Sequence, residues 1–219
     1  MKLDLLKSFE KIPYFTTAGF KQVLNADDES DSQRALEMLS RWVKKGHILR
    51  LKRGIYMSRR FYEVYQNHVA FRPAVSAIIL AQSYVSLEYV LQRAGILTEA
   101  TYPVTAVTLK NTKTITNRLG TFVYRHIKLP LYKGFTQESF FGALFNQASV
   151  AKALFDYFYL RPLPRDLRTH KISLAEELRL NLDELHVNAQ REFESYVEMS
   201  ASSKMTFINQ NLKKTVWLP

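Results

Sequence analysis

Apolar residues in the first third of the chain recur at the three-and-four spacing of helices and then switch to alternation. Leu3, Leu6 and Phe9 lie at helical spacing with Asp4 and Lys7 between them, and Pro13 ends that run. Thr16 and Thr17 are candidate N-caps for a second helix carrying Phe20, Val23 and Leu24. The acidic, polar stretch 25–30 reads as a turn. Asp31 or Ser30 then caps a third helix, on which Ala35, Leu39, Trp42 and Val43 share one face. At about 100° per residue the opposite face holds Arg34, Glu37, Arg41 and Lys45. After Gly46, residues 47–51 and 55–57 read as short strands, and Lys52, Arg53 and Gly54 make the turn between them. Three helices and a two-stranded hairpin is the element order of a winged helix-turn-helix.

Residues 59–73 are polar and aromatic and read as a connection, which puts a domain boundary near residue 66. The expected domains are therefore 1–66, a winged helix-turn-helix, and 67–219, a second and larger one. Beyond Pro73 the pattern becomes strongly apolar. Residues 74–81 read as a buried helix, and Ser86 can cap another over 87–94 that Gly95 closes. Stretches 104–109 and 120–127 are rich in β-branched and aromatic residues and read as strands. Stretches 140–145 and 148–159 read as buried helical pieces ended by Pro162 and Pro164. The chain from Ser173 to Leu212 reads as mostly helix, with caps at Ser173 and at Asp183 or Asn181. The fold class is α+β: an N-terminal winged helix-turn-helix, then a mixed α/β domain with a small sheet and a helical C-terminus.

Composition sharpens this picture at one point, the charge. The 219 residues carry a formal net charge of +11 and a sequence pI near 9.7, which favours a polyanionic partner such as nucleic acid. That charge is not spread evenly. From Arg41 to Arg60 there are eight Lys/Arg and no Asp or Glu, and from Val104 to Lys133 there are six and again no acid. On the winged-helix reading the third helix enters the major groove of duplex DNA, with Ser32, Gln33 and Arg34 at its leading end near base edges. Arg34 is the first choice for base readout and Gln33 the second. Arg41, Lys44, Lys45, Arg50, Lys52 and Arg53 neutralise phosphates and set the register. Lys110, Lys113, Arg118, Arg125 and Lys128 form a secondary basic surface that either extends this footprint or serves the second domain.

Other classes find little support. There is no cysteine, hence no disulfide, thiolate metal site or cysteine nucleophile, which accords with a cytoplasmic protein. The N-terminus is not a signal peptide, and no uncharged apolar run reaches the roughly 18–20 residues that span a bilayer. The glycines form no phosphate-cradling loop, and the five histidines show no metal-ligand spacing, so neither cofactor nor metal is expected and the protein is not read as an enzyme. Asp156, on an otherwise apolar helix, is the one carboxylate to watch, and pairing with Lys152 four residues earlier is its simplest role. Arg161, Arg165, Arg168 and Lys171 make a further basic loop, most simply a solvated one.

Three passages together resemble the AbiEi family, the antitoxin half of type IV toxin–antitoxin systems. They are residues 44–56 (KKGHILRLKRGIY), 83–96 (SYVSLEYVLQRAGI) and 148–159 (ASVAKALFDYFY). The second is similar to the family's Ser-Tyr-(Ile/Val)-Ser-Leu stretch and the third to its Pro-Glu-Lys-Ala-Leu-Leu-Asp helix, with Val150 and Ala151 in place of Pro-Glu. The resemblance implies a repressor that binds inverted repeats in the promoter of its own operon through the N-terminal domain. It also implies a C-terminal domain that counters a nucleotidyltransferase-like toxin without a stable complex. A stand-alone winged-helix regulator with a ligand- or partner-sensing domain, and a nucleic-acid-processing enzyme, are the alternatives.

Overall fold

A computed structural model describes residues 4–26, 28–99, 103–163, 173–183 and 185–217. The chain divides into two compact units, one of Met1–Ala81, Thr116–Gly120 and Ser139–Phe145, the other of Gln82–Ile115, Thr121–Glu138 and Asn146–Pro219. Residues 165, 168 and 171 of the expected basic loop lie outside the described residues. Among the described residues no helix is long and apolar enough to cross a membrane.

The first unit runs α1 (Asp4–Lys7), β1 (Phe15–Thr16), α2 (Thr17–Val23), α3 (Glu29–Lys44), β2 (Ile48–Lys52), β3 (Ile55–Ser58), α4 (Arg59–Tyr65) and α5 (Phe71–Ile79). Thr16 caps α2, its hydroxyl accepting from the Gly19 amide at 3.0 Å. Helix α3 begins before either expected cap. The carboxylate of Asp28 accepts from the Asp31 amide at 2.7 Å, so Asp28 is the cap and Glu29 and Ser30, expected in a turn, open the helix. At the other end Gly46, at φ 75°, reverses the chain: the His47 amide bonds the Trp42 carbonyl and the Gly46 amide that of Val43. Strands β2 and β3 pair antiparallel around Arg53 and Gly54, and β1 adds to the free side of β3, giving the order β1-β3-β2.

These elements close over Leu6, Phe9, Phe15, Phe20, Ala35, Leu39, Trp42 and Ile48. Phe9 and Phe15 rings lie 4.3 Å apart and Trp42 meets Phe20 edge-on at 5.4 Å, so aromatic pairs dominate a small core. The expected connection after residue 59 is instead α4, capped by the Ser58 hydroxyl on the Phe61 amide at 3.0 Å. The unit continues to Ala81, past the expected boundary near 66, because Phe61 and Tyr65 on α4 and Phe71 on α5 pack with Phe140 and Phe141.

The second unit contains β4 (Ser83–Val85), α6 (Glu88–Arg93), β5 (Val104–Thr108), β6 (Lys113–Asn117), β7 (Gly120–His126), a 3-10 turn (Leu129–Leu131), β8 (Phe135–Phe140) and β9 (Ala143–Ala148). Helices α7 (Val150–Leu160), α8 (Leu174–Glu177), α9 (Val187–Ser200) and α10 (Ser203–Thr215) follow, and two hairpin tips are counted with the first unit. The six strands form one mixed sheet in the order β6-β7-β5-β4-β9-β8. Residues 140–145, expected as helix, are instead the end of β8, a turn at Phe141 and Gly142, and the start of β9. Phe141 and Gly142 have φ of 49° and 78°, a two-residue turn whose twist suits antiparallel strands. Helix α7 is buried from Ala151 to Phe158, with α9 against it through Phe155, Phe193 and Tyr196. Ser173 caps α8 as expected. Helix α9, however, starts at His186, whose Nδ1 accepts from the Asn188 amide, not at Asn181 or Asp183.

Candidate nucleic-acid interface

Helix α3 carries opposite charges at its two ends. Asp28, Glu29 and Asp31 occupy the N-terminal end and Arg41, Lys44 and Lys45 the C-terminal end. Each set complements the helix dipole, worth about 0.3–1 kcal/mol per charge at an exposed end, so local helix physics accounts for part of the arrangement. It does not account for Arg50 on β2 or Arg53 in the turn. The last turn of α3 leads into β2 through Lys45, Gly46 and His47 alone, so helix cations and hairpin cations follow one another on one short path. Arg41, Lys44, Lys45, Arg50 and Arg53 are exposed, and none pairs with a carboxylate among the described residues.

The remaining expected contacts divide. Arg34 is three-quarters exposed, and its Nη1 donates to Asp31 Oδ1 at 3.0 Å. Gln33 Nε2 donates to Glu37 Oε1 at 3.3 Å, and Ser32 is half-buried. Because α3 starts at Glu29, these three residues stand in its second turn, behind an acidic first turn, rather than at its leading end. Lys52 is turned away from the hairpin tip. Its half-buried ammonium donates to the Ile79 carbonyl at 2.8 Å, which anchors β2 to the end of α5. The tip is itself tethered, since the Gly54 carbonyl accepts from the Thr17 amide at 2.9 Å. Lys110, Lys113, Arg118, Arg125 and Lys128 are all exposed; Arg125, on β7, lines a cavity with charged and apolar residues from four other segments of the second unit.

A second constellation, in the second unit, is of the opposite kind. Lys152 and Asp156 are wholly buried and paired across one turn of α7. The second Asp156 oxygen accepts from Tyr84 Oη at 2.9 Å and Ser86 Oγ at 2.8 Å. Ser86 therefore serves Asp156 instead of capping α6, which begins after Leu87 with no side-chain cap. The Lys152 ammonium also faces the rings of Tyr84, Phe155 and Tyr196 at 5.5, 4.9 and 5.3 Å. Burial first, and then the Asp156 charge, push the Tyr84 hydroxyl far above its ordinary range, so it is a permanent donor. Burial pulls Lys152 down and pushes Asp156 up, each opposed by its partner's charge. Two of the passages that carry the family resemblance thus meet at one point, 70 and 72 residues apart in sequence. With every polar atom of the carboxylate engaged and both charges sealed from water, this cluster joins β4 to α7. Among the described residues no three His, Asp or Glu converge as a metal-ligand set.

Residues 3–59, the segment from α1 to the start of α4, match the family described as "Transcriptional regulator, AbiEi antitoxin". No curated protein matches the chain. The matched segment holds α3, the hairpin and all of the exposed cations Arg41, Lys44, Lys45, Arg50 and Arg53. Over residues 3–59, about a quarter of its length, the chain is similar to the AbiEi antitoxin family of transcriptional regulators.

Proposed function

We propose that the first unit is a winged helix-turn-helix that binds duplex DNA at inverted repeats in its own promoter and represses that operon. The observation that carries this reading is the acid-free set of exposed cations on the end of α3 and on the hairpin, inside the segment that matches a transcriptional-regulator family. Unpaired cations along one path are what phosphate neutralisation requires, each phosphate contact releasing counterions and steepening the salt dependence. Arg41, Lys44, Lys45, Arg50 and Arg53 serve as phosphate contacts, and Lys52 acts through its anchor on Ile79.

Arg34 remains our choice for base readout. Its pair with Asp31 is solvent-exposed, and such pairs are worth about 0–1 kcal/mol. A bidentate guanine contact is worth roughly 1–3 kcal/mol, so the duplex can take Arg34 from Asp31. Gln33 and Ser32 stand with it on the second turn. Lys110, Lys113, Arg118 and Lys128 supply further positive charge, either to the same duplex or to the antitoxin role.

The match to an antitoxin family supports the second half of the proposal: residues beyond the DNA-binding unit counter a nucleotidyltransferase-like toxin in the cytoplasm, without a stable complex and without catalysis of their own. The test is a titration of the purified chain against its own promoter and a scrambled duplex at equal salt. The reading expects the promoter to bind roughly 10³-fold tighter or better. Equal affinity for both duplexes would remove the repressor assignment.

A further inference from the structure

The second unit contains a concave site that the DNA reading does not use. It is a cavity of about 610 Å³, inside the roughly 300–1,000 Å³ range of small-molecule sites. The last turn of α7 contributes Tyr157, Leu160 and Arg161, the start of α6 contributes Leu87 and Glu88, and β7 contributes Arg125. The rim is made by two segments zipped together. Leu97 bridges Leu180, the Asn181 amide donates to the Ile96 carbonyl at 2.7 Å, and Arg179 pairs with Glu99 at 3.4 Å.

Two non-glycine residues of the lining are held in left-handed backbone, Leu87 at φ 61° and Arg179 at φ 51°. Leucine tolerates this poorly, and such strain, of order 1–3 kcal/mol, persists only where the surroundings over-determine it. At Leu87 the twist falls immediately before Glu88, at the edge of the cavity.

The charges select the ligand. The lining has three arginines and three glutamates and so no net charge, on a chain whose net charge is +11. That balance is wrong for a nucleic-acid surface and for a polyphosphate. Internal pairs occupy part of it: Arg179 is on Glu99, and Arg161 donates to the Tyr157 hydroxyl while lying 5.2 Å from the centre of its ring. Burial pushes the Tyr157 hydroxyl up, and the charges of Arg161, Glu88 and Glu99, which line the same cavity, all act on it. The side chains of Arg125, Glu88 and Glu177 have no hydrogen-bond or ion-pair partner among the described residues. One cation and two carboxylates thus face a cavity walled by Leu87, Leu97, Leu160 and Leu178.

We propose that this cavity binds a small zwitterion of amino-acid or dipeptide size, its carboxylate on Arg125, its ammonium on Glu88 and Glu177, and its apolar side chain on the leucines. The proposal concerns the second unit alone and does not rest on DNA binding. Thermal melts of the full chain with L-leucine, L-phenylalanine and L-leucyl-L-leucine test it. Acetyl-phenylalanine amide, which lacks both charges, and adenosine monophosphate are the controls. A zwitterion at about ten times its Kd raises Tm by roughly 3–6 °C for a chain of this size. Arg125 is exposed, so Arg125→Gln keeps the unliganded Tm while weakening the zwitterion at least tenfold, and Glu88→Gln does the same. No shift from any of the three zwitterions would overturn the proposal. So would an equal shift from the capped amide, a larger shift from the nucleotide, or undiminished binding by Arg125→Gln.

Discussion

The cations of the first unit and the lysine–aspartate cluster of the second are both dense constellations of charge, and they mean different things. Arg41, Lys44, Lys45, Arg50 and Arg53 are exposed, and among the described residues none of them forms an ion pair. Lys152 and Asp156 are sealed from water and held by each other, Tyr84 and Ser86. A solvated cation costs the fold nothing to keep and is available to an anionic ligand. A buried ion pair is costly to desolvate and is tolerated only when every polar atom is engaged, so it speaks for a particular packing and not for a ligand. On the proposed reading the two regions divide the work: open charge for binding, closed charge for holding β4 against α7.

Substitution separates them. Asp156→Asn leaves Lys152 buried without its counter-charge, and removing one partner of such a pair costs about 3–5 kcal/mol. Chemical denaturation should register that loss; a cost below about 1 kcal/mol would mean the cluster is not the lock it is taken for. Arg34→Ala should leave stability alone and reduce discrimination between promoter and scrambled duplex by roughly 1–3 kcal/mol, read by competition binding. Full discrimination in that variant would remove Arg34 from base readout. The neighbours Lys52 and Arg53 give the finest contrast. Lys52→Ala loses a charged hydrogen bond to the Ile79 carbonyl, and such bonds contribute about 1.5–3 kcal/mol, less here because the group is only half-buried. Arg53→Ala should leave the melting curve unchanged and weaken all duplexes alike. If Lys52→Ala melts like the parent, the anchor assignment is wrong.

Local signals were legible in the chain where a single short-range interaction decides the outcome. Thr16 as a cap, Gly46 and Gly95 as helix stops, Ser173 as a cap and the strands 104–108 and 120–126 are all of this kind. Where two local readings compete, tertiary context chose. The acids before Asp31 read as a turn, yet Asp28 caps a helix whose start the charge of Glu29 also favours. The apolar stretch around Phe140 reads as helix, but Phe141 and Gly142 take positive φ and the residues on either side pair as strands β8 and β9. Ser86 has the chemistry of a cap and spends its hydroxyl on Asp156, a partner 70 residues away that no local pattern reveals. The cation set was visible as an acid-free run. That Lys52 leaves it for a backbone carbonyl was not, because the choice depends on where α5 ends.

The central claim is that the exposed cations of α3 and the hairpin hold duplex DNA. Its most direct test is the salt dependence of binding, by fluorescence anisotropy, for the parent and for Lys44→Ala/Lys45→Ala/Arg50→Ala. Each lost phosphate contact flattens the slope of log K against log salt by about 0.9, so the account predicts a flattening of about 2.7, weaker binding to every duplex and an unchanged melting temperature. Identical slopes for the two folded proteins would contradict it.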